Sequence, residues 1–257
     1  MISKAKIKYI NSLQLKKHRT SERRFVAEGP KVVGDLMALT PPVLVVATAE
    51  WLATCSTSLP DTTECYEVTD EELKKVSFLQ HPQQVLAVFP MYAEDAAASL
   101  PRADELCLAL DGVQDPGNLG TIIRIADWFG ITRIICSRDT ADVYNPKVVQ
   151  ATMGSIARVQ VVYTDLKAVL EQARGQLPVY GTLLDGEDLY QKQLTPGGII
   201  VMGNEGNGIS EAIRPLVSER LLIPSYPPSR PTAESLNVAI ATAVVCAEFR
   251  RRNKTTK

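Results

Sequence analysis

Ile199-Ile-Val-Met is an unbroken apolar run of strand length, and it sets the strongest limit on what this chain can fold into. A strand with one face in water alternates apolar and polar residues. A run without alternation belongs to a parallel sheet covered on both faces. Further strands are expected at 106–112, 133–137, 159–164, 178–184, 198–203 and 220–224. Helices fit the intervals at 118–130, 146–153, 165–175, 210–217 and 234–251. This alternation defines an α/β architecture with a parallel sheet, whose ligands bind beyond the carboxyl ends of the strands.

The first part of the chain reads as a smaller α/β domain. A helix carries Ile7, Ile10 and Leu13 between lysines, and a basic loop follows from Lys16 to Arg24. Strands are expected at 25–29, 43–49, 66–69 and 85–89. Pro30 opens one helix, and the capping box Thr69-Asp-Glu-Glu opens another that runs through Phe78. Residues 91–104 lack strand character. The expected organisation is therefore a domain over 1–92, a linker over 93–104 and a second domain over 105–257.

Charge is split along the 257 residues. The formal net charge is −1, yet residues 1–33 carry nine basic and two acidic side chains, and residues 250–257 carry five basic and no acidic ones. The 216 residues between them hold 14 basic and 27 acidic groups. A basic end on an acidic body points to a polyanionic partner. No apolar run reaches the roughly 18–20 residues of a membrane span, and no apolar segment follows the basic start as a secretory signal would require. The five cysteines are scattered and read as free thiols of a reducing cytosol. His18 and His81 are the only histidines and have no ligand companions, which argues against a metal site and a Ser-His-Asp triad.

Three strand-to-loop segments carry candidate chemistry. In Leu110-Asp-Gly-Val-Gln-Asp-Pro-Gly-Asn-Leu-Gly-Thr-Ile-Ile-Arg, Asn118 is positioned to cap a helix on which Arg124 lies nearly two turns further on. Arg124 there suits phosphate or ribose oxygens; the alternative is a surface ion pair with Asp127. In Met202-Gly-Asn-Glu-Gly-Asn-Gly-Ile-Ser, Gly203, Gly206 and Gly208 let a ligand approach the backbone, but their spacing is not the dinucleotide fingerprint. Glu205 in that loop suits a cation or a hydroxyl-rich ligand. The third segment runs from Leu221-Leu-Ile-Pro through a proline-rich loop to Glu234-Ser-Leu-Asn-Val-Ala. It places Ser235, as N-cap, and Asn237 at a helix start with free N–H groups.

In this order the segments resemble the three motifs of the SpoU-type (TrmH family) RNA methyltransferases of the SPOUT superfamily. The matching positions are Asn118, Gly120 and Arg124; Gly203, Glu205, Gly206 and Gly208; and Ile223, Pro224, Glu234, Ser235, Leu236, Asn237 and Val238. Asn145-Pro146 and Ala151-Thr-Met-Gly-Ser resemble the family's intermediate segment. The first domain, with Phe25-Val-Ala-Glu-Gly-Pro-Lys, resembles the L30e-like substrate-binding domain found in the family.

The resemblance implies a deep trefoil knot in the second domain and a homodimer formed through it. It implies S-adenosylmethionine, without a metal, held around Thr182, Leu183, Gly203, Ile223 and Leu236. It further implies transfer to a ribose 2′-oxygen, with Asn118, Arg124, Glu205, Ser235 and Asn237 as catalytic residues. Ribosomal RNA stands ahead of tRNA as the substrate, and a non-catalytic RNA-binding protein on the same fold is the rival reading. Lys16, Lys17, Arg19, Arg23 and Arg24 are expected to contact RNA phosphates, and the location is expected to be cytoplasmic. One departure stands out. Ten residues, Ser225 to Glu234, separate Ile-Pro from Ser-Leu-Asn, where the family pattern has about six, and they help shape the cofactor pocket.

Overall fold

Two units make up the structure, a computed structural model that describes residues 2–55, 59–92, 100–227 and 233–252. Part of the expected linker (93–99), Pro228 and Pro231 of the proline-rich loop, and Lys254 and Lys257 lie outside the described residues. The first unit is Met1–Ala93 with Asp142–Arg158, and the second is Glu94–Ala141 with Val159–Lys257.

The first unit runs α1 (Lys4–Ser12), α2 (Lys16–Glu22), β1 (Arg24–Glu28), α3 (Pro30–Met37), β2 (Leu44–Ala47), α4 (Ala49–Thr54), β3 (Glu64–Glu67), α5 (Asp70–Lys74) and β4 (Val85–Pro90). Its sheet has the order β1-β4-β2-β3. β4 is antiparallel to both β1 and β2, and β3 is parallel to β2. Thr69 and Glu72 form the expected capping box, with bonds of 3.3 and 3.2 Å. The helix ends at Lys74 instead of Phe78, because the buried Glu28 carboxylate accepts the Phe78 N–H at 2.8 Å and the Ser77 hydroxyl. Burial pushes the Glu28 carboxyl above its ordinary pKa, against the pull of those two donors.

The basic stretch after α1 is a helix, α2, where a loop was expected. Arg19 is the reason. Its side chain is only 2% exposed, and Nη1 donates to the carbonyls of Leu13 at 3.0 Å and Gln14 at 2.6 Å. Nη2 donates to Asp142 at 2.6 Å. Asp142 opens a segment that the sequence pattern assigns to the second domain. In the structure, residues 142–158 group with the first unit, and they include α7 (Pro146–Ala151). Tyr144 packs against Phe25 in a tilted pair with ring centroids 4.9 Å apart, and its hydroxyl accepts the Tyr92 N–H at 3.0 Å. Arg158 reaches Asp35 at 3.2 Å.

The second unit holds β5 (Leu106–Leu110), α6 (Pro116–Trp128), β6 (Arg133–Cys136), β7 (Gln160–Tyr163), α8 (Leu166–Ala173), β8 (Val179–Asp188), β9 (Gly198–Met202), β10 (Glu219–Leu222) and α9 (Val238–Arg252). Its six-stranded sheet has the order β10-β8-β9-β5-β6-β7, with every pair parallel. β5 and β9 are buried at all five positions, as their unbroken apolar sequences require. The helix expected over 210–217 is a single 3₁₀ turn, Arg214–Leu216. The chain winds from β5 to β6 and β7 on one side and places β9, β8 and β10 on the other. The order therefore reverses between β5 and β9, where open α/β sheets bind their ligands.

Three of the five basic residues counted at the C-terminus have structural partners. Arg250 donates to the carbonyls of Phe129 at 2.7 Å and Gly130 at 3.2 Å, at the end of α6, where helix carbonyls lack partners. Arg251 and Arg252 bond the buried Glu248 at 2.7 and 2.5 Å. Arg251 foremost, then Arg252, holds the Glu248 carboxyl down to a pKa of about 2. Among the described residues no helix is long and apolar enough to cross a membrane, and all five cysteines are free.

Removing one partner of a buried ion pair strands the other, at a cost of about 3–5 kcal/mol. Arg19→Ala is therefore expected to lower the unfolding free energy by about 3 kcal/mol, measured by urea denaturation. A change below about 1 kcal/mol, the range of surface pairs, would contradict the structural role assigned to Arg19.

Candidate active site

The loops after β5 and β9 and the start of α9 meet through one chain of side-chain amides. Asp115 is the N-cap of α6, its Oδ1 accepting the Asn118 N–H at 2.7 Å, with Pro116 at the first helical position. Asn118, expected as the cap, thereby has its side chain free to bridge. Its Nδ2 donates to Glu205 Oε1 at 3.0 Å, and its Oδ1 accepts from Asn237 Nδ2 at 2.9 Å. Asn237, in turn, is the cap of α9 in place of Ser235, because its Oδ1 accepts the N–H groups of Ala239 at 3.0 Å and Ile240 at 3.3 Å.

The donors and acceptors along this chain have one consistent order. Asn237 spends its oxygen on helix N–H groups, so its NH₂ must donate to Asn118. Asn118 has then spent its oxygen and must donate to Glu205. Glu205 accepts twice more, from the backbone N–H of Asp115 at 3.3 Å and Gln114 at 3.4 Å. With three donors on its two oxygens, Glu205 is the terminal acceptor of the chain.

Two residues that the motifs alone do not single out hold the same loops from behind. Asn204 donates to the Gly112 carbonyl at 2.7 Å and accepts from Gly206 at 2.9 Å and Asn207 at 3.1 Å. Asp111 accepts the Ser210 N–H at 2.7 Å. The signal for both was present: each is a polar residue within two positions of the end of a fully buried strand. A β-carbon at Gly203 would overlap the backbone of Gly208 and Ile209, so only glycine lets the loop fold back over the end of β9. Gly208 sits at φ +68° and exchanges both backbone hydrogen bonds with Asn204, closing the turn around Glu205.

The remaining expected residues are placed less tightly. Arg124 is exposed on α6 and forms no hydrogen bond or ion pair with a described residue. It lies six residues beyond Asn118, about 9 Å along the helix axis. Ser235 is exposed, and its side chain bonds no described residue. Thr182, Gly203 and Ile223 follow the paired parts of three adjacent strands, β8, β9 and β10. Thr182 Oγ1 lies 3.8 Å from Met202 Sδ, and Leu183 packs against the core formed by Ile209, Ile213 and Val217. Leu184 is 78% exposed and Leu236 52% exposed.

In the first unit, Lys16, Lys17 and Arg23 are exposed. Arg24 is half-buried with its guanidinium on the Tyr9 hydroxyl at 3.1 Å. Arg19 leaves the RNA-contact set, since its guanidinium is buried and paired. Among the described residues no group of His, Cys, Asp and Glu could hold a metal ion.

The chain matches the SpoU rRNA Methylase family over residues 105–247 and an MRM3-like substrate binding domain over residues 4–87. It is 33% identical to the 23S rRNA (guanosine(2553)-2′-O)-methyltransferase RlmP of Bacillus subtilis, over 95% of this chain and 96% of that protein. Among solved structures it resembles an RNA methyltransferase of the TrmH family from Porphyromonas gingivalis. That match has a TM-score of 0.87 and 43% identity, over 98% of this chain and all of that one. It also resembles an AdoMet-bound rRNA methyltransferase from Sinorhizobium meliloti, with a TM-score of 0.86 and 30% identity over 99% and 97% of the two chains.

The amide chain predicts energetic coupling. Asn237→Ala removes a helix cap and is expected to cost about 1 kcal/mol. A double-mutant cycle with Asn118→Ala, followed by denaturant unfolding, is expected to show a coupling of at least about 0.5 kcal/mol. Strict additivity would mean that the two amides do not act together.

Proposed function

The chain belongs to the SpoU rRNA methylase family, and we propose that it methylates a ribose 2′-oxygen of ribosomal RNA with S-adenosylmethionine as donor. The observation that carries this reading is the Glu205–Asn118–Asn237 chain. It ties together the three motif loops at the switch point of the sheet.

The loops fit that cofactor by their chemistry. They offer backbone groups, exposed Leu184 and Leu236 for an apolar purine face, and one carboxylate, Glu205, for a cationic ligand. Thr182, Leu183, Gly203, Ile223 and Leu236 are assigned to hold it. When bound, S-adenosylmethionine supplies an electrophilic methyl group on a sulfonium. The ribose oxygen must approach in line with the S–CH₃ bond, so much of the rate comes from positioning.

The protein residues divide that task. The amide chain keeps the loops of β5 and β9 and the start of α9 in one register. Arg124 carries a guanidinium, which does not deprotonate in a protein and so is no base. Its role is to hold a phosphate beside the target ribose and to stabilise the developing oxyanion, while the hydroxyl proton leaves to water. Ser235, whose side chain bonds no described residue, is assigned to the ribose or the cofactor.

RNA capture falls to the first unit, through Lys16, Lys17 and Arg23 and with Arg24 behind them. The chain is assigned to a homodimer built on α6 and α9, which pack side by side. Support comes from the apolar side chains these helices leave uncovered, with Trp128 85% exposed and Ile240 55% exposed. A deep trefoil knot in the second unit and a cytoplasmic location complete the reading. Free cysteines and an RNA substrate support the latter.

Arg124→Ala is expected to lower methyl transfer to RNA at least 10²-fold, in line with the loss of one oxyanion-stabilising group. S-adenosylmethionine affinity by calorimetry should stay unchanged; full activity in this variant would sink the assignment. Lys16→Glu combined with Lys17→Glu is expected to weaken RNA binding. The plot of log K against log salt should flatten by about 1 for each phosphate the protein no longer neutralises. An unchanged slope would remove these lysines from the RNA surface.

A further inference from the structure

β8 is not a continuous partner of β10. Tyr180 pairs with Glu219 and Gly181 with Arg220, but the next β10 residues, Leu221 and Leu222, pair with Glu187 and Asp188. Five residues, Thr182 to Gly186, therefore leave the ladder between two adjacent β10 positions. This excursion contains Thr182 and Leu183 and stands beside the end of β9, through Thr182 on Met202.

A five-residue departure from a strand would be loose without restraints, and this one is restrained at three points. Leu183 faces the core while Leu184 faces out. At the tip, the Asp185 carboxylate accepts from Arg214 at 2.7 Å and Arg220 at 2.8 Å. One arginine comes from the 3₁₀ turn ahead of β10 and the other from β10 itself, beside the break in pairing. At the exit, a β-carbon on Gly186 would come within 2.5 Å of the Leu221 backbone, and Lys192 ties Glu187 at 2.9 Å to Glu219 at 2.8 Å.

The side chain of Asp185 is 47% exposed and covers no core. Its two ion pairs fix the loop more than they stabilise the fold. We infer that Asp185, held by Arg214 and Arg220, is a positioning residue that sets the affinity for S-adenosylmethionine by holding the Thr182–Gly186 wall in its binding shape. Order present before binding is order the ligand need not impose. The inference rests on the proposed function, since it takes Thr182 and Leu183 as cofactor contacts.

The test uses full-length protein and calorimetric titration with S-adenosylmethionine. Asp185→Asn keeps the size of the side chain and removes the charge. It is expected to raise the dissociation constant about 3- to 10-fold, the range of two half-exposed ion pairs. KM for the cofactor should rise by the same factor, with kcat at saturating cofactor within about twofold, as loss of binding alone requires. Arg220→Gln should act in the same direction, and Asp185→Glu should recover most of the affinity. A wild-type dissociation constant in Asp185→Asn would overturn the inference while leaving the proposed function standing. A fall in kcat and thermal midpoint without a change in affinity would overturn it equally. Failure of the wild-type protein to bind S-adenosylmethionine would overturn the proposed function, and the inference with it.

Discussion

The rest of the site depends on the hydrogen bond from Asn118 to Glu205. It joins the loop after β5 to the loop after β9 across the point where the strand order reverses, and Asn237 extends it to the N-terminus of α9. Each bond is ordinary in strength, worth about 1 kcal/mol. Their value lies in direction. The cap at α9 fixes the Asn237 amide, which fixes the Asn118 amide, which leaves Glu205 as the terminal acceptor. Three loops distant in sequence thus share one register, as an in-line transfer requires.

The two units divide the charge problem. In the second unit most arginines are spent on internal work: Arg250 on the end of α6, Arg251 and Arg252 on Glu248, Arg214 and Arg220 on Asp185. Arg124 is different, with no partner among the described residues. The first unit keeps exposed cations on α2 and just beyond it, while the buried Arg19 goes to the ion pair that binds residues 142–158.

Much of this was legible in the sequence because apolar runs and capping chemistry are local. Every strand of the second unit lies within a few residues of its expected span, and Thr69 with Glu72 behaves as the pattern requires. Several of the misses were decided by a distant partner. Arg19 reads as one of five exposed cations until Asp142, 123 residues on, takes it inward. Asn118 and Ser235 read as caps, whereas Asp115 and Asn237, three and two residues away, do that work and leave the Asn118 side chain to the more distant Glu205. The Thr182–Gly186 excursion is invisible without β10 beside it.

On the proposed function, the loops joined by Glu205, Asn118 and Asn237 direct a methyl group to a ribose oxygen. The most direct measurement is incubation of the protein with isotopically methyl-labelled S-adenosylmethionine and ribosomal RNA from cells lacking it, followed by mass analysis of the nucleosides. Label is expected in one 2′-O-methylated nucleoside, at a phosphodiester bond resistant to alkali. Label in a base-methylated nucleoside, or none in RNA, would contradict it.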